Sequence, residues 1–193
     1  MGFTHYFYCK PKLNKSDFKA FASDVEKVLK LSGVPLSHID TKEDQEGFEV
    51  TDELINFNGV GDNGHETFLF QRDTLVREAE LTPRNGLVFN FCKTNQKPYD
   101  LCVTATLILA KMHFGKDVKI SSDGDASDWA EGGALVGKAL GGDLSLDLDE
   151  ALTVYFTPMK VETPIAPEDR AVKQMEKNAI EEFKDTEEYD MMG

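Results

Sequence analysis

The sequence has few cysteines, and their number excludes a disulfide framework. Only three are present, Cys9, Cys92 and Cys102, so the count is odd and no paired spacing occurs. Cys92 lies in an apolar strand-like run and Cys102 in an apolar helix-like run, a setting typical of buried free thiols. We therefore expect a chain without cross-links in a reducing, cytoplasmic compartment.

Long apolar segments are also missing. No run approaches the roughly 20 residues that span a bilayer. The first residues lack the basic region and the apolar core of a signal peptide. The sequence therefore predicts neither a membrane-spanning protein nor a secreted one.

Positive charge is scarce as well. The chain has 21 Lys and Arg residues against 35 Asp and Glu residues, a net charge of −14. This excess opposes non-specific binding to nucleic acids and to anionic membranes, although a local basic pocket remains compatible with it. With 193 residues, 40% of them hydrophobic, the composition is that of a globular domain plus a tail. We predict one α/β domain over 1–160, followed by a linker and an acidic C-terminal helix and tail over 161–193.

Known catalytic signatures are absent from the sequence. The glycine-rich loop at 59–65 is not followed by Gly-Lys-Ser/Thr or by a helix, so it is not a Walker motif and predicts a hairpin turn. There is no nucleophile elbow and no zinc spacing among the four histidines. Any site must therefore be inferred from where the fold places its polar residues.

The most informative stretch runs from residue 87 to residue 129. It predicts a strand over 87–92, an apolar helix over 99–113 and a second strand over 117–122. A strand, a crossover helix and a strand in that order predict adjacent parallel strands. The predicted fold class is α/β or α+β: a mixed β-sheet with a parallel β-α-β unit at its centre and helices packed on it.

The two polar turns of this unit form the predicted ligand site, because open α/β sheets bind ligands at the C-terminal ends of their strands. Lys93 and Thr94 end the first strand, and Lys97 lies in the turn that follows. Free backbone N–H groups and two ammonium groups there predict an anion site. Tyr99 or Trp129 would stack on the base of a phosphate-bearing ligand. In the alternative interpretation Thr94 merely caps the helix and the lysines are solvated.

The second turn is acidic. Asp123 and Asp125 are candidate oxygen ligands for Mg²⁺ or Ca²⁺. An EF-hand is excluded, because Asp128 stands where the loop requires glycine. The alternative is that Asp125 caps the helix that follows. If a metal is bound, Glu66 is the candidate general base, provided that it lies near Asp123.

Three further residues complete the predicted site. Ser121 and Ser122 end the strand before the acidic turn, and His5 lies on an aromatic first strand. A single histidine on such a strand is more often a hydrogen-bonded core residue than a catalyst.

Four blocks of the sequence resemble a family of small uncharacterised microbial and phage proteins. The blocks are residues 2–6, 57–59 with 66–68, 91–100, and 121–129. In that family an Ala-Arg pair often separates the Thr from the Lys of the third block, whereas this chain has Asn95-Gln96 and so lacks an arginine at the anion site. The resemblance implies no settled activity. Phage membership implies a role in host interaction or counter-defence.

Three functions follow from the sequence. The first is a binding protein for a small phosphate-bearing, nucleotide-like molecule. The second is a metal-assisted hydrolase or transferase that uses the turn of Asp123 and Asp125. The third is an interaction module whose acidic tail docks on a basic partner. An oligomer is compatible with all three.

Overall fold

Three helices and nine strands form the described part of the chain, which comprises residues 2–38, 47–74, 86–148 and 152–159 of a computed structural model. In chain order they are β1 (Thr4–Cys9), α1 (Lys15–Ser32), β2 (Leu36–Ser37), β3 (Glu49–Val50), β4 (Leu54–Gly59), β5 (Phe68–Gln71), β6 (Val88–Lys93), α2 (Asp100–Phe114), β7 (Val118–Ser122), α3 (Ala130–Leu140), β8 (Gly142–Asp147) and β9 (Thr153–Pro158). The predicted mixture of helices and strands is confirmed.

The sheet that carries the predicted site has the order β6-β1-β7, and both neighbours run antiparallel to β1. The prediction that β6 and β7 are adjacent and parallel is wrong, because β1 lies between them. Two strands that are each antiparallel to β1 still point in the same direction. Their C-terminal ends therefore lie at the same end of the sheet, on either side of the start of β1.

The remaining strands form a four-stranded and a two-stranded antiparallel sheet. Strands β2, β3 and β5 each pair with β4, and β8 pairs with β9. The predicted hairpin around the glycine-rich loop is confirmed, with Ile55 opposite Phe70 and Phe57 opposite Phe68. The loop itself contains a 3₁₀ turn over Gly61–Asn63.

Helix α2 packs against β7, and α1 and α3 both pack against α2. The Asn14 side chain caps α1 by accepting from the N–H groups of Ser16 and Asp17, and Gly33 ends the helix in the left-handed conformation at φ 67°. Most of α2 is buried, as its nearly continuous apolar sequence predicts. The core between the helices and the sheets is rich in fully buried phenylalanine rings, Phe7, Phe18, Phe21, Phe57, Phe68 and Phe70.

The described residues all belong to one compact unit, Met1–Met159. The linker, acidic helix and tail predicted over 161–193 lie outside the described residues. Within the described ranges, no helix combines the length and the apolar character needed to cross a membrane.

Candidate functional site

The turns after β6 and β7 meet around the start of β1. The Thr94 N–H donates to the Phe3 carbonyl at 3.0 Å, on the β6 side. On the β7 side, the Thr4 N–H donates to Asp123 Oδ2 at 3.0 Å. Gln96 Nε2 donates to Asp128 Oδ1 at 3.3 Å and so connects the two turns directly. The polar residues of both turns therefore share one end of the sheet.

A hydrogen-bonded chain of side chains lies at this end, and we call His5, Thr94, Asp100 and Ser122 the strand-end cluster. His5 is fully buried. Its Nε2 lies 2.8 Å from Asp100 Oδ1, and its Nδ1 lies 2.9 Å from Ser122 Oγ. The Thr94 hydroxyl donates to the same Asp100 oxygen. The cluster thus joins the starts of β1 and α2 to the ends of β6 and β7.

Aromatic rings enclose the histidine of this cluster. Phe3 and Trp129 both meet the His5 ring edge-on, with centroids 5.3 and 5.2 Å away. Trp129 is fully buried, and its Nε1 has no hydrogen-bond partner within the described part of the chain. The prediction that Trp129 stacks on a ligand base is wrong for this structure, since its ring already packs in the core.

In the turn after β6, most of the N–H groups that the anion prediction required already have acceptors. Asn95 and Gln96 both have φ 52°, and the Lys97 N–H closes the turn by donating to the Thr94 carbonyl at 3.1 Å. The Thr94 and Asn95 N–H groups both donate to the Phe3 carbonyl. Lys97 Nζ donates to the Asp62 carbonyl at 2.9 Å. Most donors of the predicted anion site therefore already have acceptors within the protein.

The start of α2 differs from both sequence interpretations. Its N-cap residue is Tyr99, which makes no side-chain capping bond, so Thr94 does not cap the helix. Tyr99 is fully buried, and its hydroxyl donates to the Glu66 carbonyl at 2.7 Å. Burial, together with nearby Cys92, raises the pKa of this phenol. Tyr99 thus fastens α2 to the residues before β5 and does not face a ligand.

The two carboxylates proposed to act together serve separate contacts. Glu66 Oε2 accepts the Lys93 N–H at 2.8 Å. Asp123 accepts the Thr4 N–H and, at 3.1 Å, the Tyr6 hydroxyl. No hydrogen bond joins these two carboxylates, so the geometry lends no support to a Glu66 general base beside Asp123.

Asp125 acts as a cap, which was the alternative to metal binding. It accepts the Ser127 N–H at 2.8 Å and the Ser127 hydroxyl at 2.6 Å, while Asp128 accepts the Asp125 N–H at 2.9 Å. The Ser127 bonds lower the pKa of Asp125, because they favour its charged form. Among the described residues, no group of three or more His, Cys, Asp or Glu side chains is arranged to hold a metal ion.

Beyond this end, one face of the β6-β1-β7 sheet carries exposed rings. We call Tyr6, Tyr8, Phe89 and Phe91 the open aromatic face. Phe89 and Phe91 are 44% and 54% exposed. The Phe89 centroid lies 5.1 Å from that of Tyr8, 6.3 Å from that of Tyr6 and 5.9 Å from that of Phe91. Such a contiguous apolar patch is unusual on a solvent-facing sheet and indicates a contact surface.

Sequence reasoning missed two parts of this region. In the sequence, Asp100 was assigned only to the end of the polar turn after β6. An acidic residue in the first turn of a helix is, however, a recognisable signal of a helix N-terminus. The alternating sequence of β6 places Phe89, Phe91 and Lys93 on one face of the strand. Which face is open to solvent depends on where α1 and α2 pack. Ser121 lies exposed on the open side, whereas Ser122 belongs to the strand-end cluster.

The predicted free thiols are confirmed, and they lead to a chemical test. Cys9, Cys92 and Cys102 are buried and unpaired. Burial raises the pKa of Cys9 and Cys92 to about 12 and that of Cys102 to about 11. We expect an aromatic disulfide reagent at pH 8 to modify no thiol in the folded protein and all of them in denaturant, measured by absorbance. Rapid modification of the native protein would contradict this assignment.

Comparison of the chain with protein-family models, with curated proteins and with solved structures finds no match, so the geometry of the site carries the functional argument alone.

Proposed function

We propose that the protein binds a small phosphate-bearing, nucleotide-like ligand, whose base stacks on the open aromatic face and whose phosphate lies beside Lys93. The observation that carries this proposal is the set of exposed rings in mutual contact on a rigid sheet. Flat aromatic rings on a sheet are a sequence-tolerant platform for bases. The stacking residues are therefore Phe89, Phe91 and Tyr6, in place of the buried Tyr99 and Trp129.

Lys93 supports the phosphate part of the proposal. It follows Phe91 by two residues on the same face of β6, a distance of about 6.6 Å along an extended strand. This separation suits a ligand with a base at one end and a phosphate at the other. Within the described part of the chain, Lys93 Nζ has no hydrogen bond or ion pair, unlike Lys97 Nζ, which donates to the Asp62 carbonyl.

The charge of the chain favours a mononucleotide over a nucleic-acid strand. A net charge of −14 opposes the many phosphate contacts of a polymer, whereas one ammonium group suits one phosphate. Asp123, which accepts the Tyr6 hydroxyl, adds a negative charge next to the rings. Its electrostatic effect on an anionic ligand is unfavourable.

Calorimetric titration with adenosine monophosphate tests the proposal. Stacking on one ring is worth about 1–3 kcal/mol, so Phe91→Ala should weaken binding by about fivefold or more. Lys93→Ala should cost a similar factor, because a charge-assisted hydrogen bond contributes about 1.5–3 kcal/mol. Asp123→Asn should tighten binding, since it removes a repulsive charge; loss of binding would instead indicate a metal-dependent site.

Matched controls separate binding from general surface effects. Leu69 is 42% exposed on a different sheet, so Leu69→Ala removes similar apolar area away from the proposed site. Lys116, in the 3₁₀ turn that follows α2, provides a lysine control at the far end of β7. Both control variants should bind like the wild type. If adenosine monophosphate and inorganic phosphate both fail to bind the wild type, the proposed function is wrong.

The other two functions have no comparable support. The turn of Asp123 and Asp125 is occupied by backbone and hydroxyl donors, which removes the argument for Mg²⁺. The acidic tail of the interaction-module hypothesis lies outside the described residues.

A further inference from the structure

We propose that Ser122 is an activated nucleophile, with His5 as its general base and Asp100 as the group that orients the base, and that this site takes carboxylic esters. The inference does not rest on the proposed nucleotide function. It concerns the strand-end cluster, on the buried side of the sheet, and not the open aromatic face.

The geometry is that of a hydroxyl–imidazole–carboxylate relay. The Asp100 carboxylate can only accept, so His5 Nε2, 2.8 Å away, donates to it. This leaves Nδ1 of the neutral ring as the acceptor for the Ser122 hydroxyl at 2.9 Å. Thr94 holds the same Asp100 oxygen and fixes its position. Nucleophile, base and orienting group thus lie within hydrogen-bond reach in the order that acyl transfer requires.

Two further observations suit a reacting group at this position. Ser122 and Asp100 are partly exposed, whereas His5 between them is fully buried, so the nucleophile is not sealed inside the core. The buried Nε1 of Trp129, whose ring packs against His5, has no acceptor within the described part of the chain. Such an unpartnered donor is costly in a core, so it marks an unsatisfied polar group on the residue that packs against His5.

The reaction balances without a cofactor. Ser122 Oγ forms a bond to the ester carbonyl carbon, and its proton passes to His5 Nδ1. The ester C–O bond then breaks, and the departing alkoxide takes that proton and leaves as the alcohol. Water attacks the acyl-serine, gives its proton to His5 and releases the acid, while Ser122 regains its hydroxyl.

An ester is the fitting substrate class because the relay contains a hydroxyl, a base and a carboxylate but no lysine or arginine. Phosphoryl transfer depends on cations that neutralise the equatorial oxygens of phosphorus. The hydrogen bonds of the strand-end cluster involve only His5, Thr94, Asp100, Ser122 and backbone groups. The carbonyl group of an ester is uncharged and does not need such cations.

A fluorophosphonate probe tests the nucleophile without knowledge of the natural ester. Attack by Ser122 forms an O–P bond, expels fluoride and leaves the proton on His5. We expect one adduct per chain by intact mass and its assignment to Ser122 by peptide mapping. Ser122→Ala should abolish the adduct. Ser121→Ala is the matched control, because Ser121 is exposed on the opposite face of the same strand and should be irrelevant to labelling.

Asp100→Asn tests the relay itself. We expect its labelling rate to fall by about a hundredfold or more, which is the usual contribution of general-base catalysis. Thermal melting verifies that this variant is folded; if it is not, the comparison of wild type with Ser122→Ala decides. A wild type that forms no adduct while a serine esterase in the same tube is fully labelled overturns the proposal. Equal labelling of Ser121 overturns it as well.

Discussion

Replacing His5 by alanine is expected to lower the free energy of unfolding by about 3–5 kcal/mol, because it removes a fully buried ring whose two nitrogens both have hydrogen-bond partners. His5 is fully buried and occupies the middle of the strand-end cluster. Without it, the Asp100 carboxylate, which is 16% exposed, and the partly exposed Ser122 hydroxyl each lose a partner. Urea unfolding followed by circular dichroism measures the loss.

The chain contains a matched control for this substitution. His113 Nε2 lies 3.0 Å from Asp24 Oδ2, but here both side chains are partly exposed, at 20% and 18%. Water can replace the missing imidazole at this surface, so His113→Ala should cost about 1 kcal/mol, as other partly solvated pairs do. His5→Gln should recover part of the loss, because an amide both donates and accepts. If His5→Ala is no more damaging than His113→Ala, the strand-end cluster does not hold this end of the sheet together.

Local periodicity predicted the elements of the fold well but not the neighbours of each strand. The strands predicted over 87–92 and 117–122 and the helix predicted over 99–113 are encoded in adjacent residues, and the structure has them as β6, β7 and α2. The insertion of β1 between β6 and β7 depends on contacts between residues about 85 and 115 positions apart, for example His5 with Cys92 and with Ser122. No local pattern specifies such pairings.

The same limit explains why the structure brings some of the predicted site residues together and buries others. His5, Thr94 and Ser122 were placed at the site because they end or begin strands, and the structure brings them together. Tyr99 and Trp129 were assigned to stacking because of their chemistry, but both rings are fully buried. Whether a large ring faces solvent or core is decided by the elements that pack over it, and the sequence around a turn does not reveal them.

The glycines of α3 illustrate how this limit affects a prediction about packing. Gly132, Gly133 and Gly137 are typical of a helix that packs closely on a neighbour, but the sequence does not identify that neighbour. Gly137 does meet the carbonyl of Gly142 in β8, with an added Cβ lying 2.7 Å from it. Gly132 instead faces α2, where an added Cβ would lie 2.5 Å from Thr104 Oγ1 and 3.0 Å from the Ala105 nitrogen. The closest helix contact of α3 is therefore with the helix that carries Asp100.

Gly132→Ala is accordingly expected to destabilise the protein by about 1–3 kcal/mol, the usual cost of overpacking. The Thr104 hydroxyl cannot move aside freely, because it donates at 3.1 Å to the carbonyls of Asp100 and Leu101. The Ala105 nitrogen is backbone and would require the whole helix to shift. Denaturant unfolding again provides the measurement, and the labelling of Ser122 should slow as α2 is displaced.

Gly133→Ala is the paired comparison that isolates this contact. Both residues lie in α3, so both substitutions gain the same intrinsic preference of about 0.5–1 kcal/mol for alanine over glycine in a helix. At Gly133 the added Cβ meets only the ends of the Leu144 and Leu146 side chains, at 3.3–3.4 Å. Those side chains can adjust by a few tenths of an ångström, so Gly133→Ala should be neutral or stabilising. Equal effects of the two substitutions would mean that α3 does not approach α2 closely at Thr104, and that the packing behind Asp100 is looser than the structure indicates.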